Sequence, residues 1–334
     1  MSIAAMKNAE IRLARRPVGR LSTDDFVLEE APVAAPQAGQ VLVRTEWLSM
    51  DPYLFERMLS DAMGPMLMPG QCIPGRGLGV VVQGDMPAGT LVAGELGWRR
   101  YATLDASALM PLQAMPQVPD TWHLSVLGAP GITAWLVLTQ VLRAESGMTL
   151  LVSGAAGTVG ALAGQLARRM GVRTIGIAGS PERASWLRAH GYDQVLNRRQ
   201  VDDWRQALRA TAPEGVDLYF DNVGGRILEA AVDAMKPRGS IALCGHAAEY
   251  TEAAAVLPTA PILYKRLTVR GFLVRDHVAQ FGQARQAILQ ALRDAPLFMG
   301  ETVHEGLESA PQALCAVLRG EGLGKHLVRV ASPG

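Results

Sequence analysis

Hydrophobic positions along this chain change their rhythm twice. Over Gln40–Trp47 (QVLVRTEW) they begin by alternating with polar ones, and Gly79–Val82 (GVVV) and Leu91–Ala93 are short apolar runs. Pro36, Pro69-Gly70, Pro74-Gly75 and Pro87-Ala-Gly stand between them. Short strands with frequent breakers predict a β-rich, barrel-like domain. From about Leu150 the pattern becomes continuous apolar runs alternating with helical spacing. LLVSG (150–154), RTIGIAG (173–179), QVLN (194–197), VDLYFDN (216–222) and SIALCG (240–245) read as strands. Residues 158–170, 181–190, 201–211 and 225–235 read as helices. Strands apolar along their length, separated by helices, predict a parallel sheet covered on both faces. LTVRGFLV (267–274) adds a strand and 278–293 a helix. The tail, with Thr302–Val303, helix 309–318 and His326–Val330, returns to mixed α/β. The βα pattern occupies the middle, so the flanks are expected to share a domain: 1–121 with 296–334, against 122–295.

Composition narrows the class. A chain of 334 residues exceeds one ordinary domain. With 49% apolar and 19% charged residues it is not intrinsically disordered. Lys plus Arg is 32 against 31 for Asp plus Glu, so no broad positive field points to nucleic acid or an anionic membrane. Cys72, Cys244 and Cys315 lie far apart with no C-x-x-C pair, which suits a reducing, cytoplasmic compartment. The N-terminus lacks the apolar core of a secretory signal. Thr121–Leu142 and Ser146–Ala167 are uncharged and long enough for a bilayer. Their proline, glycine and hydroxyl content makes them buried soluble segments.

Candidate chemistry starts at SGAAGTVG (153–160), directly after a strand and directly before a helix. Gly154 permits a tight turn, Gly157 lets backbone approach a pyrophosphate, and Gly160 lets the helix pack close to the strand. In the strand–turn–helix–strand context this predicts a Rossmann dinucleotide site, with the helix N-terminus facing the phosphates. The next strand ends Ala178-Gly179-Ser180, without the acid that NAD enzymes place on the ribose 2′-OH. Ser180, Arg183 and Arg198 are instead suited to a 2′-phosphate, so NADPH is the expected cofactor. Glu182 reads as a complement to the helix dipole. No metal set is expected: there are no closely spaced cysteines, and the six histidines are solitary in sequence. Ser153 lacks the G-x-S-x-G context of a nucleophile elbow.

These segments together resemble the zinc-independent medium-chain dehydrogenase/reductases, in particular the NADPH-dependent alkenal/one and prostaglandin reductase group. The likeness covers nearly the whole chain. It is carried by LSMDPY (48–53), GRGLGVVV (75–82), GWRRYATL (97–104), GAPGITAW (128–135), SGAAGTVG (153–160), FDNVGG (220–225), ALCGHAAEY (242–250), LTVRGFLV (267–274) and GEGLGKHLV (320–328). The resemblance implies an α/β chain with a GroES-like β-rich domain, a Rossmann doubly wound parallel-sheet domain, and an active-site cleft between them. It also implies that Gly157, Thr158, Val159 and Gly160 hold the pyrophosphate. Arg183 stands where relatives carry a Lys for the 2′-phosphate, and Arg198 where they often have a Tyr. Asn222 would contact the ribose or nicotinamide end. Cys244, Gly245, His246 and Tyr250 would lie along the nicotinamide half, and Phe272, Leu273 and Val274 would cradle its amide with backbone groups. Gly322 stands where relatives often have Asn. Phe55 and Glu56 replace an Arg and a Gly, which removes a basic group from the substrate side and disfavours an acidic substrate.

The activity so implied is reduction of the C=C bond of an α,β-unsaturated ketone or aldehyde. Without a metal, the developing enolate needs preorganised hydrogen-bond donors. Tyr250 is the first candidate and Tyr53 the second. Against Tyr53 stands the ordinary use of such a residue: a packing tyrosine with its hydroxyl bonded to backbone. His246 is a further possible donor, and Cys244 is expected to be a buried strand-end residue. Quinone reduction on the same scaffold, or NADPH binding without catalysis, remain alternatives. The apolar strand 267–274 closing the sheet is expected to pair with a second copy in a homodimer.

Overall fold

The computed structural model describes residues 6–116, 118–250 and 256–330. The chain forms two units, Met1–Leu124 with Glu301–Gly334, and Ser125–Gly300. The first stretch contains β1 (Lys7–Leu13), β2 (Phe26–Pro32), β3 (Gln40–Ser49), α1 (Tyr53–Leu59), β4 (Arg76–Gly84), β5 (Leu91–Glu95), β6 (Tyr101–Asp105) and β7 (Met110–Pro111). Next come α2 (Ala129–Leu136), β8 (Thr149–Val152), α3 (Thr158–Arg169), β9 (Arg173–Ala178), α4 (Pro181–Ala189), β10 (Gln194–Asn197) and α5 (Trp204–Thr211). They are followed by β11 (Val216–Asp221), α6 (Gly225–Ala234), β12 (Met235–Leu243), α7 (Thr259–Lys265), β13 (Thr268–Gly271) and α8 (Phe281–Asp294). The chain then returns through β14 (Glu301–Glu305), α9 (Ala310–Leu318) and β15 (Lys325–Arg329).

Unit 1 holds the β1–β2 hairpin and a sheet of order β14-β15-β3-β4-β5-β7, with β6 on β3. Ten-residue β3 serves several partners because it bends. Its ladder with β4 shifts register between Leu42 and Val43 and again between Thr45 and Trp47. Its first half pairs with β6 and its last residues with β15. Such bulges curl a sheet. The inward positions of the alternating pattern, Val41 and Val43, pack against Val81, Val92, Leu96 and Ala102.

Unit 2 is a six-stranded sheet, order β10-β9-β8-β11-β12-β13, parallel throughout. Leu150, Leu151 and Val152 of β8 are fully buried, which is why that strand reads as a continuous apolar run. The winding direction reverses between β8 and β11, and ligands of such sheets bind beyond the carboxyl ends at that reversal.

One part of the sequence reading shifts. LTVRGFLV pairs as a strand only over Thr268–Gly271, and the pairing stops there because β12 ends at Leu243, the partner of Gly271. The chain then buries Phe272 and enters a 3-10 turn, Val274–Gln280. Tyr53 opens helix α1. The β1–β2 hairpin and α2 carry no pattern that the periodicity singled out.

Candidate functional site

The turn after β8 has the shape its glycines require. Gly154 adopts φ +57°. A β-carbon on Gly160 would lie 2.5 Å from Gly154 O and 2.7 Å from Ala155 Cα, so α3 closes on the turn only with glycine there. Gly157 caps α3 with no side-chain bond. The first turn, Thr158, Val159 and Gly160, therefore carries the N–H groups that a helix start leaves without intrahelical partners. Such a terminus favours phosphate.

At the end of β9, two guanidinium groups meet. A β-carbon on Gly179 would lie 3.2 Å from Arg183 Nη1 and 3.4 Å from Arg198 Nε. Arg183 comes from α4 and Arg198 from the 3-10 turn Arg198–Gln200. Ser180 caps α4, its Oγ accepting from Arg183 N at 3.4 Å. The Glu182 carboxyl is held below its ordinary range by a hydrogen bond from Ser180, in keeping with its place at a helix start.

Asn222 follows β11. Its Nδ2 donates to Ser153 O and its N–H to Ser153 Oγ, both at 2.8 Å, joining the ends of the two strands at the winding reversal. Cys244 N–H donates to Asp221 O at 2.8 Å. Burial, then the Asp221 charge, pushes the Cys244 thiol well up, so it is no thiolate nucleophile. Gly245 lies against Asn222, where a β-carbon would be 2.7 Å from the carbonyl oxygen. Tyr250 ends a 3-10 helix, Ala247–Tyr250, with its ring centroid 5.3 Å from that of His246. Beyond β13, Phe272 N–H donates to Leu243 O and its ring stacks on His277 at 4.7 Å. Leu273 and Val274 follow at the start of the 3-10 turn. The unit 2 candidates thus gather at the carboxyl ends of β8, β9, β11, β12 and β13, with Arg198 just past β10.

Unit 1 holds the other two. Tyr53 has no hydrogen-bond partner for its hydroxyl among the described residues. Burial, reinforced by Glu95 and Asp51 and opposed by Arg76 and Arg57, pushes its phenol far above the ordinary range. It is a neutral donor without a backbone acceptor, unlike a packing tyrosine. Just before it, Asp51 accepts from Lys325 Nζ at 2.5 Å and from Ser49 Oγ at 2.5 Å. Lys325 is 2% exposed. Both lie in segments that carry the family resemblance, LSMDPY and GEGLGKHLV, though neither is among the candidate site residues of the sequence analysis. Gly322 adopts φ +67°, and a β-carbon there would lie 2.3 Å from His326 Nε2 and 2.7 Å from Thr302 Oγ1. An Asn side chain has no room in this arrangement. Phe55, one of the departures from the family pattern, is buried in the unit 1 core.

Among the described residues no group of three or more His, Cys, Asp or Glu is placed to hold a metal ion. The structure does bring His304 Nε2 within 3.2 Å of His326 Nδ1, a pairing of two histidines solitary in sequence.

The chain matches two family models: zinc-binding dehydrogenase over residues 158–290 and N-terminal domain of oxidoreductase over residues 9–112. It is 34% identical to the NADPH-dependent curcumin reductase of Escherichia coli (strain K12), over 97% of each chain. It is 34% identical to prostaglandin reductase 1 of Bos taurus, over 95% of this chain and 97% of that one. Among solved structures, CurA from Vibrio vulnificus in complex with NADPH superposes with a TM-score of 0.90 at 30% identity, covering 97% of this chain and all of that one. Among the described residues the donor set does not fit a zinc ion.

Proposed function

The chain belongs to the medium-chain dehydrogenase/reductases, in the group of alkenal and enone reductases, and on that footing we propose the following chemistry. The protein is an NADPH-dependent reductase of the C=C bond of α,β-unsaturated ketones and aldehydes. The observation that carries the cofactor reading is the pair of guanidinium groups beside Gly179, which fits a 2′-phosphate at the end of a glycine-turn site. NADPH, when bound, supplies the hydride that goes to the β-carbon.

The chain's own residues do the rest. Backbone at Gly157–Gly160 receives the pyrophosphate, while Arg183, Arg198 and Ser180 hold the 2′-phosphate. Asn222, Gly245 and Phe272–Val274 support the nicotinamide end. Charge develops on the substrate carbonyl oxygen, and the Tyr250 hydroxyl donates to it. Such a donor, fixed before reaction, typically contributes about 10²–10³ in rate. Tyr53, neutral and without a backbone acceptor, is the second donor. The α-carbon then takes its proton from solvent. No metal takes part, so activity survives exhaustive chelation.

The test is NADPH oxidation with enones and enals, with the product checked for a saturated C=C and an intact carbonyl. Arg183→Ala is expected to weaken NADPH about 10–100-fold while NADH changes little, the effect of one lost charged hydrogen bond. Equal kcat/KM for both cofactors in the wild type overturns the cofactor reading.

We further propose a homodimer in the cytoplasm. β13 is the open end of its sheet, and the neighbouring α7 exposes Leu263 and Tyr264, at 69% and 74%. An uncovered strand edge beside apolar side chains favours pairing with a second copy. A monomeric mass by light scattering at micromolar concentration refutes it. No helix among the described residues is long and apolar enough to cross a membrane.

A further inference from the structure

Asp221 closes β11 at the winding reversal and is fully buried, yet among the described residues no cationic side chain pairs with it. Neutral donors surround it instead. Its Oδ1 accepts from Ser153 Oγ at 2.6 Å, Tyr219 Oη at 2.7 Å, and Val223 and Gly224 N–H at 3.0 Å. Its Oδ2 accepts from Gly224 N–H at 3.2 Å. A carboxylate is acceptor-only, with room for about four such bonds. An amide of the same shape would turn N–H groups toward the Gly224 N–H.

The two backbone donors belong to the turn Asn222–Gly225. Gly224 and Gly225 adopt φ +70° and +60°, consecutive left-handed residues that leave the turn free to take other conformations. The peptide joining Val223 to Gly224 is gripped at both ends. A trans peptide points its N–H and its C=O in opposite directions. The N–H of this one donates to Asp221, and the C=O, Val223 O, accepts from Ala248 N–H at 2.8 Å. Ala248 lies in the 3-10 helix that ends at Tyr250. Rotating that peptide would remove an acceptor that this helix uses.

We propose that Asp221 is a positioning residue: by fixing the Val223–Gly224 peptide, it holds the Tyr250 helix in place for catalysis. The proposal rests on the reading of Tyr250 given above. It differs from a general packing role because the effect must reach turnover through Tyr250. A displacement of about 1 Å at a catalytic group costs roughly hundredfold in rate.

The experiment uses the full-length enzyme. kcat is measured on an enone, the NADPH Kd by fluorescence titration, and folding by thermal melting. Asp221→Asn is expected to lower kcat about hundredfold. Tyr219→Phe, which removes one hydroxyl and leaves the carboxylate, is the variant that folds if Asp221→Asn does not. It is expected to lower kcat about tenfold with NADPH Kd within about threefold of wild type. Both losses are expected to shrink below twofold in a Tyr250→Phe background, the mark of residues that act as a unit. Equal losses in both backgrounds, or Tyr219→Phe with wild-type kcat, overturn the proposal and leave the tyrosine assignment standing. Wild-type kcat for Tyr250→Phe alone overturns the tyrosine assignment and the proposal with it.

Discussion

The two units each enclose an acid just beyond or at the end of a strand, and they hold it in opposite ways. In unit 1, Asp51 follows β3 and meets Lys325, with Met50 O and Ser49 Oγ completing the group. In unit 2, Asp221 ends β11 and, among the described residues, its carboxylate meets only hydroxyls and backbone amides. The first is neutral as a pair. The second leaves a negative charge inside, and it helps push up the acidic groups of Tyr219 and Cys244 after burial has done most of it. A charge held by a side chain can be removed together with its partner. A charge held by amides has no partner to remove, because the counter-charge is the backbone conformation itself.

That difference can be broken open by substitution. Asp221→Leu removes the acceptors of two hydroxyls and two amides, each costing about 1–3 kcal/mol when left buried and unsatisfied. Unit 2 is expected to lose its cooperative melting transition, and no second side-chain change should restore it. A calorimetric transition of near wild-type height would contradict this. Lys325→Met leaves Asp51 uncompensated and is expected to cost about 3 kcal/mol, the lower end for a buried pair because Asp51 is 18% exposed. The melting point of unit 1 should fall by roughly 6–12 °C. Asp51→Asn added to Lys325→Met should recover most of that loss, since removing both partners of a pair is often nearly neutral.

The smallest effect is set by pH. Burial raises the phenols of Tyr192 and Tyr219 in unit 2 and of Tyr53 in unit 1. Unfolded phenols titrate near 10. The contribution of these groups to stability is therefore complete below about pH 10 and is lost as pH rises from there through the raised folded values. Urea midpoints measured from pH 7 to 11 should be flat at first and then fall. Tyr219→Phe should flatten the fall for unit 2, and an unchanged slope would count against the hydroxyl's grip on Asp221.

The sheet domain was the more legible half. Its central strands β8 and β11 are buried and read as short continuous apolar runs between stretches of helical spacing, and the glycines at 154, 157 and 160 mark the turn. The arginines beside Gly179 were visible as residue types, though only folding shows that 183 and 198 converge. The β1–β2 hairpin and α1 were not visible, because their burial comes from partners far along the chain. Asp221 could have been suspected from VDLYFDN, where an acid closes an apolar strand. Lys325 also left a trace. The chain has only four lysines, at 7, 236, 265 and 325. Each is engaged: Lys7 with Glu30, Lys236 with Asp217, Lys265 with the carbonyls that end α6, and Lys325 with Asp51. In a chain that otherwise uses arginine, each lysine marks a place that takes an ammonium.

The position of β15 between β14 and β3 has a consequence for the order of events at the ribosome. Leu327 pairs with Ser49, so β3 emerges long before the strand that completes its edge. At roughly 5–20 residues per second, the interval is on the order of tens of seconds. Unit 2 is contiguous in sequence, and its βα units can assemble while the first segment waits. During that wait the free edge of β3 near Leu48 and the side chain of Asp51 lack their partners. The chain therefore spends its early life with one unit maturing and the other held open, and the nascent first segment is where a holdase chaperone would find apolar strand to bind.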